Sequence, residues 1–577
     1  MSLDSSLSIA FSSLRVTESQ LATSSENVTN ASKEGYTTKT YDVNYTTYGS
    51  VTTPTGGITI GSIDYSLSKS AINDVSESGY YSVISDALDM VSTAIGSTDG
   101  DNTLSSSYSS LQSALETLAT SPDDTSQKQN VVSAAQQVAS NLNSLSESIQ
   151  KERLNANQDI ESSVETINSL LDSLKKLNDK IQSLTILGQS TANLEDERMV
   201  ALESLSEQIG IDYFFNSNNA VQIYTENGTA LLTTTVHELS YTATSYVTDE
   251  TVYPGGFDAI TVDGKDITGS ISGGKLSGYI ELRDETLVAA QDALDEVAQV
   301  MSDTVNSVLA EGTSYPAPST LKGSVENSLA DTFSATGTLR VAVVSDDGMV
   351  QGYSDIDLST FTTISDVVSA IDSVSGVSAV IDGDGYLVIS SDNSSYGVAL
   401  NQMDSSVGTS SSSLSAYFGI NALLVGDSAS TIHVSDTLAS DYSVLATGTL
   451  SDSSTLIVGD RAVSSADVEV INDLVNTLSE SMSFSAAGNM GAQTTTMAGY
   501  ISDYLSNIAN LASEALDSAD LARSIYEGTK EILENSTAVN VDEETIKITE
   551  YQNQYEAAAM IVSTIQELFS TLLEAVN

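Results

Sequence analysis

The chain has 577 residues, too many for one hydrophobic core, so several domains are expected. Its 78 Asp and Glu against 20 Lys and Arg give a net charge of −58, which excludes binding to nucleic acid or to an anionic membrane through phosphate contacts. It has no cysteine, which excludes disulfides, thiolate nucleophiles and cysteine-based metal sites.

At the N-terminal end, "LDSSLSIAFSSL" is amphipathic rather than an apolar block, and the first basic residue is Arg15, so no cleaved signal peptide is expected. No apolar run in the chain approaches the roughly 20 residues of a membrane span. Leu3, Leu7, Ala10, Leu14, Thr17, Leu21, Ser24, Val28 and Ala31 step alternately by four and three, which predicts a coiled-coil seam. Gly35 in "ASKEGY" is a natural helix stop. Ala, Thr and Ser occupy much of this stripe. Such a helix buries too little to offset the entropy of ordering it, so neighbouring chains are expected to add surface.

Residues 41–70 are rich in Thr and Tyr, with Pro54 and a Gly-Gly pair, and read as strand or extended arm. The proline-free span from Asp123 to Tyr253 opens with a long helix. Ile160, Val164, Ile167, Leu171 and Leu174 form one stripe on it, and Leu170, Leu174, Leu177, Ile181 and Leu184 an adjacent one. Gly188 breaks it, and a shorter helix follows over Leu194–Gln208. Residues 211–279 alternate around Asn-Gly and Asp-Gly turns, as β-hairpins do. Helix returns over Leu282–Leu309, and Pro316 and Pro318 mark a linker. Residues 325–464 are rich in Ser, Thr, Gly and Asp, with strands such as "TLRVAVVS" and "GYLVISS" and a short helix at "TISDVVSAIDSV". From Asp467 the pattern is helical, with a seam through Ile501, Leu505, Ile508, Ala512, Ala515, Ala519, Ala522 and Tyr526.

The C-terminal stretch repeats the N-terminal pattern. Ile548, Tyr551, Tyr555, Ala558, Val562, Ile565, Phe569, Leu572 and Val576 step by three and four. The economical reading pairs the two terminal helices. The fold class is therefore α+β and multidomain, with terminal coiled-coil helices and a long helical bundle carrying inserted β-rich outer domains. The expected division is a paired terminal domain over 1–40 and 541–577, and a helical bundle with an extended arm over 41–210, 280–315 and 465–540. A β-rich excursion over 211–279 and an outer β-rich domain over 320–464 complete it.

No catalytic constellation is evident. His237 and His433 lie in different β-rich segments, and "DGDG" at 382–385 lacks the spacing and closing Glu of an EF-hand. An enzyme is not expected, nor a cofactor or metal.

"NVTNASKEGY" (27–36) resembles the N-terminal signature of the bacterial flagellar axial proteins, with Asn27, Asn30, Gly35 and Tyr36 at its fixed positions. Glu34 stands where the family usually has Pro, and Glu26 where it usually has Asn. "NVDEETIKITEYQNQYEAAAMIVSTIQELFSTLL" (540–573) is similar to the matching C-terminal signature, opening with Asp542, Glu543 and Glu544. "NLEDER" (193–198) and "GGKLSGYIELRDETL" (273–287) resemble inner segments of the hook-associated members. The resemblance implies a structural protein of the hook–filament junction, in a ring of about eleven copies set by the family's helical lattice. It implies hook protein on one face and the second junction protein on the other. Export through the flagellar type III apparatus, a flagellar export chaperone and an extracellular position follow from the same resemblance. The alternatives are another axial protein such as hook protein, or an acidic secreted surface adhesin.

Overall fold

The computed structural model describes residues 3–48, 51–60, 64–96, 103–409 and 412–576. Helix α1 (Leu3–Asn30) ends in a turn where Gly35 has φ +70°, and the chain reverses into an antiparallel hairpin, β1 (Lys39–Tyr48) and β2 (Val51–Ile60). Tyr41 and Val43 share a half-buried face with Ile58 and Ile60, and both strands lie against α1. The opposite face is polar: Thr40 and Thr59 meet oxygen to oxygen at 3.2 Å, and Thr59 donates to Asp42 at 2.9 Å. A two-stranded ribbon is marginal alone, and α1 gives it the third layer it needs.

Asp64, Thr103 and Asp124 cap the next three helices, α2 (Tyr65–Ile95), α3 (Leu104–Thr120) and α4 (Thr125–Ile186), by accepting N–H groups of the first turn. At 62 residues, α4 is about 93 Å long and serves two cores. Its first half sends Val138 and Leu142 into a helical core. That core is shared with α3, with α7 (Leu287–Leu309), with α11 (Glu469–Ser479) and with α12 (Met497–Thr537). Its second half sends Ile160, Ile167 and Leu174 under α5 (Ala192–Gln208) and the strands that follow. The stripe read from sequence on this part of α4 is thus buried.

Residues 211–279 are not a free excursion. Ile211, Val221, Ile223, Leu231 and Ile260 close over α4 as the lid of that second core. Helix α6 (Gly274–Glu281) begins eight residues before the expected helix at Leu282, because Gly273 and Gly274 take φ of +63° and +70° and turn the chain early. One wide turn over Leu282–Thr286 then carries Arg283 into the interior. Its guanidinium is fully buried, pairs with Asp284 at 2.7 Å, donates to the Tyr241 hydroxyl at 2.7 Å and lies 4.4 Å from the Phe257 ring centroid. Arg153 of α4 donates to the Arg283 carbonyl at 3.0 Å and to the Thr248 carbonyl at 3.1 Å. Two buried cations are tolerated here because carbonyls, a carboxylate and rings meet them.

The outer part holds two three-stranded antiparallel sheets, one from 338–345, 350–357 and 396–401, the other from 320–326, 377–381 and 386–391. Helix α8 (Ile364–Asp372), with a Thr363/Asp366 capping box, packs Ile364 and Val367 between them. "DGDG" is a hairpin turn: Asp382 accepts the Asp384 and Tyr386 amides and pairs with Lys322 at 2.8 Å. A short helix α9 (Leu414–Phe418) closes this core.

The expected outer unit 320–464 is corrected by the packing. After α9 the chain returns to the helical body, and Leu423, Leu424, Ile432, Val434 and Leu445, with the short helix α10 (Asp436–Ser440), join the helical core. The Asn306 amide holds this return, accepting Leu423 N–H at 2.9 Å and donating to Leu424 O at 2.6 Å, and Asn143 donates to Ala429 O at 2.8 Å. Leu450, Leu456 and Val463 then go out again to cover Val344 and Val350 of the first outer sheet. Composition hides this, because the return is as rich in Ser, Thr and Asp as its surroundings.

Candidate assembly node

The last helix, α13 (Val541–Val576), lies along α1. Where they meet the surfaces are small: Ala10, Thr17 and Ser24 of α1 and Ala558, Val562 and Ile565 of α13 are buried. Leu3, Leu7, Leu14, Leu21, Val28 and Ala31, with Ile548, Tyr551 and Phe569, are half-buried. Tyr555 and Leu572 of the expected seam are exposed, and the Val576 side chain lies outside the described residues. Val16 and Thr23, outside the heptad stripe, are buried instead. They share a face with Asn27, which is fastened to β1.

That fastening starts a polar network. Asn27 is fully buried; its amide donates to Lys39 O at 2.8 Å and accepts Lys39 N–H at 3.0 Å. The Tyr36 hydroxyl donates to the same amide oxygen at 3.0 Å. The Lys39 ammonium is buried against Asp196 of α5, whose carboxylate also takes the Thr37 amide at 3.1 Å and its hydroxyl at 2.7 Å. Burial lowers the Lys39 ammonium below the ordinary lysine value, against the pull of Asp196. A Cβ on Gly35 would lie 2.3 Å from a Val200 methyl, so the turn must be both left-handed and bare.

The C-terminal helices close the network from the other side. Thr38 donates its amide to Thr537 O at 2.9 Å and its hydroxyl to Ala538 O at 2.7 Å. Lys530 of α12 reaches Glu34 at 2.9 Å and Glu203 of α5 at 3.1 Å, and Tyr526 donates to Glu203. Burial and Glu203 push the Tyr526 hydroxyl up to about 12. Glu544, in the first turn of α13, is buried beside Lys547 at 2.9 Å. Burial raises its carboxyl, but Lys547, Ser24 and Asn27 outweigh that and hold it below the ordinary glutamate value.

The structure thus brings together Asn27, Gly35, Tyr36 and Glu544 of the two terminal motifs, with the "LEDER" segment between them. Asn30 only bonds back to Glu26 O at 3.0 Å, and Asp542 and Glu543 are exposed, Glu543 pairing with Lys547 at 3.2 Å. Both departures from the family signature have partners here: Glu34 holds Lys530, and Glu26 accepts from Asn193 at 2.7 Å. Sequence reasoning missed Lys39, Glu203 and Lys530, and singled out Asp196 only as part of the 193–198 segment. Lys530 did carry a signal, as an isolated cation among Glu527, Glu531 and Glu534. Lys39 carried none.

Around the node large apolar side chains face outward: Phe11, Ile546, Met560, Ile561, Leu568 and Leu573 are about half or more exposed. Among the described residues no three His, Asp or Glu are placed to hold a metal ion, and no helix is long and apolar enough to cross a membrane. His237 meets Asp263 at 2.7 Å, and His433 meets the Thr431 carbonyl at 2.8 Å.

Residues 89–321 match the family model of the flagellar hook-associated protein FlgK helical domain, and residues 532–575 that of the flagellar basal body rod FlgEFG protein C-terminal segment. Flagellar hook-associated protein 1 of Bacillus subtilis (strain 168) is 24% identical over 236 residues, 39% of this chain. The chain spans 46% of that relative's length. The structure of the flagellar hook junction protein FlgK from Burkholderia pseudomallei aligns over 81% of this chain and 99% of its own, with a TM-score of 0.47 and 17% identity. The chain is thus similar to the flagellar hook-associated protein FlgK helical domain over 89–321 and to the rod-type C-terminal segment over its last helix.

Proposed function

We propose that the protein is a structural subunit of the hook–filament junction of the bacterial flagellum, and that it joins copies of itself through its paired terminal helices. One observation carries this reading: the node fastens the α1–α13 pair to α5 and α12, and the outward faces of that pair are apolar. In an acidic protein such faces want cover, and a second copy offers the same faces. The family match supports a position between hook protein and a second junction protein. A ring of about eleven copies is consistent with a shared helical lattice. Export through the flagellar type III apparatus, with a chaperone on the C-terminal helices, extends the same reading to an extracellular site on the flagellum. The protein is then a scaffold and not an enzyme.

The test is complementation of a junction-deficient strain. Ile565→Asp puts an unpaired carboxylate into the buried α1–α13 contact. The variant is expected to be secreted at the normal level but to leave hooks without filaments in electron micrographs. Normal filaments with Ile565→Asp would overturn the reading.

A further inference from the structure

Helix α12 is apolar on two sides. One side, through Ile501, Leu505 and Ile508, is buried in the helical core. On the other side Leu521, Ile525, Gly528 and Ile532 fall in line, and the three apolar side chains are 63, 46 and 61% exposed. A Cβ on Gly528 would meet nothing within 4 Å. A glycine inside a helix is less favourable than alanine, yet this one leaves a notch in an open apolar stripe. Asp517, Asp520 and Glu531 are exposed along the stripe, and Arg523 is taken by Glu527 at 2.8 Å.

The far end of α4 has the opposite character. Lys176 and Lys180 are exposed, while neighbouring Lys175 is held by Asp179 at 2.6 Å. Leu187, just past the helix, is 69% exposed, and Leu184 and Leu194 line an open groove at the elbow between α4 and α5. Both surfaces border α5. Glu203 of α5 takes Lys530 of α12, while α5 starts at the elbow. Since both surfaces are exposed in one chain, they do not cover each other, but successive copies can.

We infer that the α4–α5 elbow of one copy seats on the outer stripe of α12 of the next. Lys176 and Lys180 face Asp517 and Asp520, and Leu187 enters the notch at Gly528 beside Ile525. The occupant is a second copy because a rare pair of exposed lysines in a chain of net charge −58 meets an apolar stripe edged with acids. The contact is head-to-tail, joining two different surfaces, which is the kind that propagates around a ring or along a helix. It rests on the self-assembly reading above and adds a second contact, outside the terminal pair.

The test uses the full chain, which has no native cysteine. Leu187→Cys and Ile525→Cys proteins, each silent alone, are mixed at high concentration with a short bis-maleimide linker. Phe11→Cys mixed with Leu568→Cys reports on the terminal helices in parallel. A covalent dimer from the 187/525 mixture is expected. Lys176→Glu with Lys180→Glu in the Leu187→Cys protein should lower its yield about tenfold, and Asp517→Lys with Asp520→Lys in the Ile525→Cys protein should restore it. A dimer at 11/568 without one at 187/525 overturns this contact and leaves the assembly reading standing. Absence of both overturns the two together. A 187/525 yield indifferent to the lysine changes overturns the charged pairing.

Discussion

Asn27 does the work of a neighbouring strand: its amide gives and takes the two bonds that a β-ladder would make with Lys39. Asn27→Ala leaves a buried amide and a buried carbonyl without partners. It is expected to cost about 2–3 kcal/mol in urea unfolding. Gly35→Ala forces a side chain into left-handed backbone against Val200 and is expected to cost about 1–2 kcal/mol by the same measurement. A third residue responds to pH. Burial pushes the Asp295 carboxyl up to about 6, although the Ala429 amide at 2.7 Å and Gln291 at 2.9 Å oppose the shift. The unfolded chain has an ordinary aspartate there, so from about pH 4 to 6 the folded chain binds more protons. The contribution of Asp295 to stability therefore falls as pH rises through that window and is flat above it. Asp295→Asn keeps the oxygen that accepts both bonds. It is expected to stabilise the protein at neutral pH by about 1–2 kcal/mol, with the gain vanishing below about pH 4, in thermal melts across that range.

At the scale of elements, the periodicities of α1, α4, α12 and α13 were readable because a helix that buries one stripe must repeat it. What periodicity leaves open is how far along the stripe a partner extends. Leu572 keeps the heptad spacing but faces solvent, beyond the last buried residue of α13, Ile565, and Tyr555 is exposed although Tyr551 and Ala558 on either side of it are covered. Val16 and Thr23 break the spacing and are buried, because the hairpin of β1 and β2 folds back onto α1. Such a contact between elements leaves no period in either one. The node is similar. Its glycine, asparagine and tyrosine were visible as a motif and Asp196 as part of another, while Glu203 and Lys530 acquire meaning only when α5 and α12 lie beside the turn. Amide exchange should rank the elements by cover. The α13 segment beyond Ile565 is expected to label within seconds, and α4 between Val131 and Leu174, buried on two cores, orders of magnitude more slowly.

On the scale of the whole molecule, the outer part is stitched to the body by two excursions rather than one. Thr313 on the way out bonds Gly448 on the second way out at 2.7 Å, and Asn421 on the return donates to Gly312 O at 2.8 Å. The crossings therefore lie side by side. Replacing 320–464 by one Gly/Ser linker would strip Leu423, Ile432 and Leu445 from the helical core and is expected to lower the melting temperature sharply. Replacing 320–420 and 450–463 by separate short linkers keeps those residues in place. That protein is expected to retain cooperative melting of its helical body, read by circular dichroism. Composition shifts marked where the outer part begins and ends, but not the segment in between that returns home.

The node also sets a timetable. Thr38 bonds Thr537 and Ala538, 499 and 500 residues away, so the contact that fixes the terminal pair closes a loop of nearly the whole chain. Contacts of such separation form late, because loop-closure entropy is paid before they return anything. The helical body can collapse around α4 while both ends remain unjoined. In stopped-flow refolding, a fluorophore at the node should lag behind one placed near Leu142. A chain that gains its paired ends last cannot present them to a neighbour early, so readiness to associate becomes the final checkpoint of its own folding.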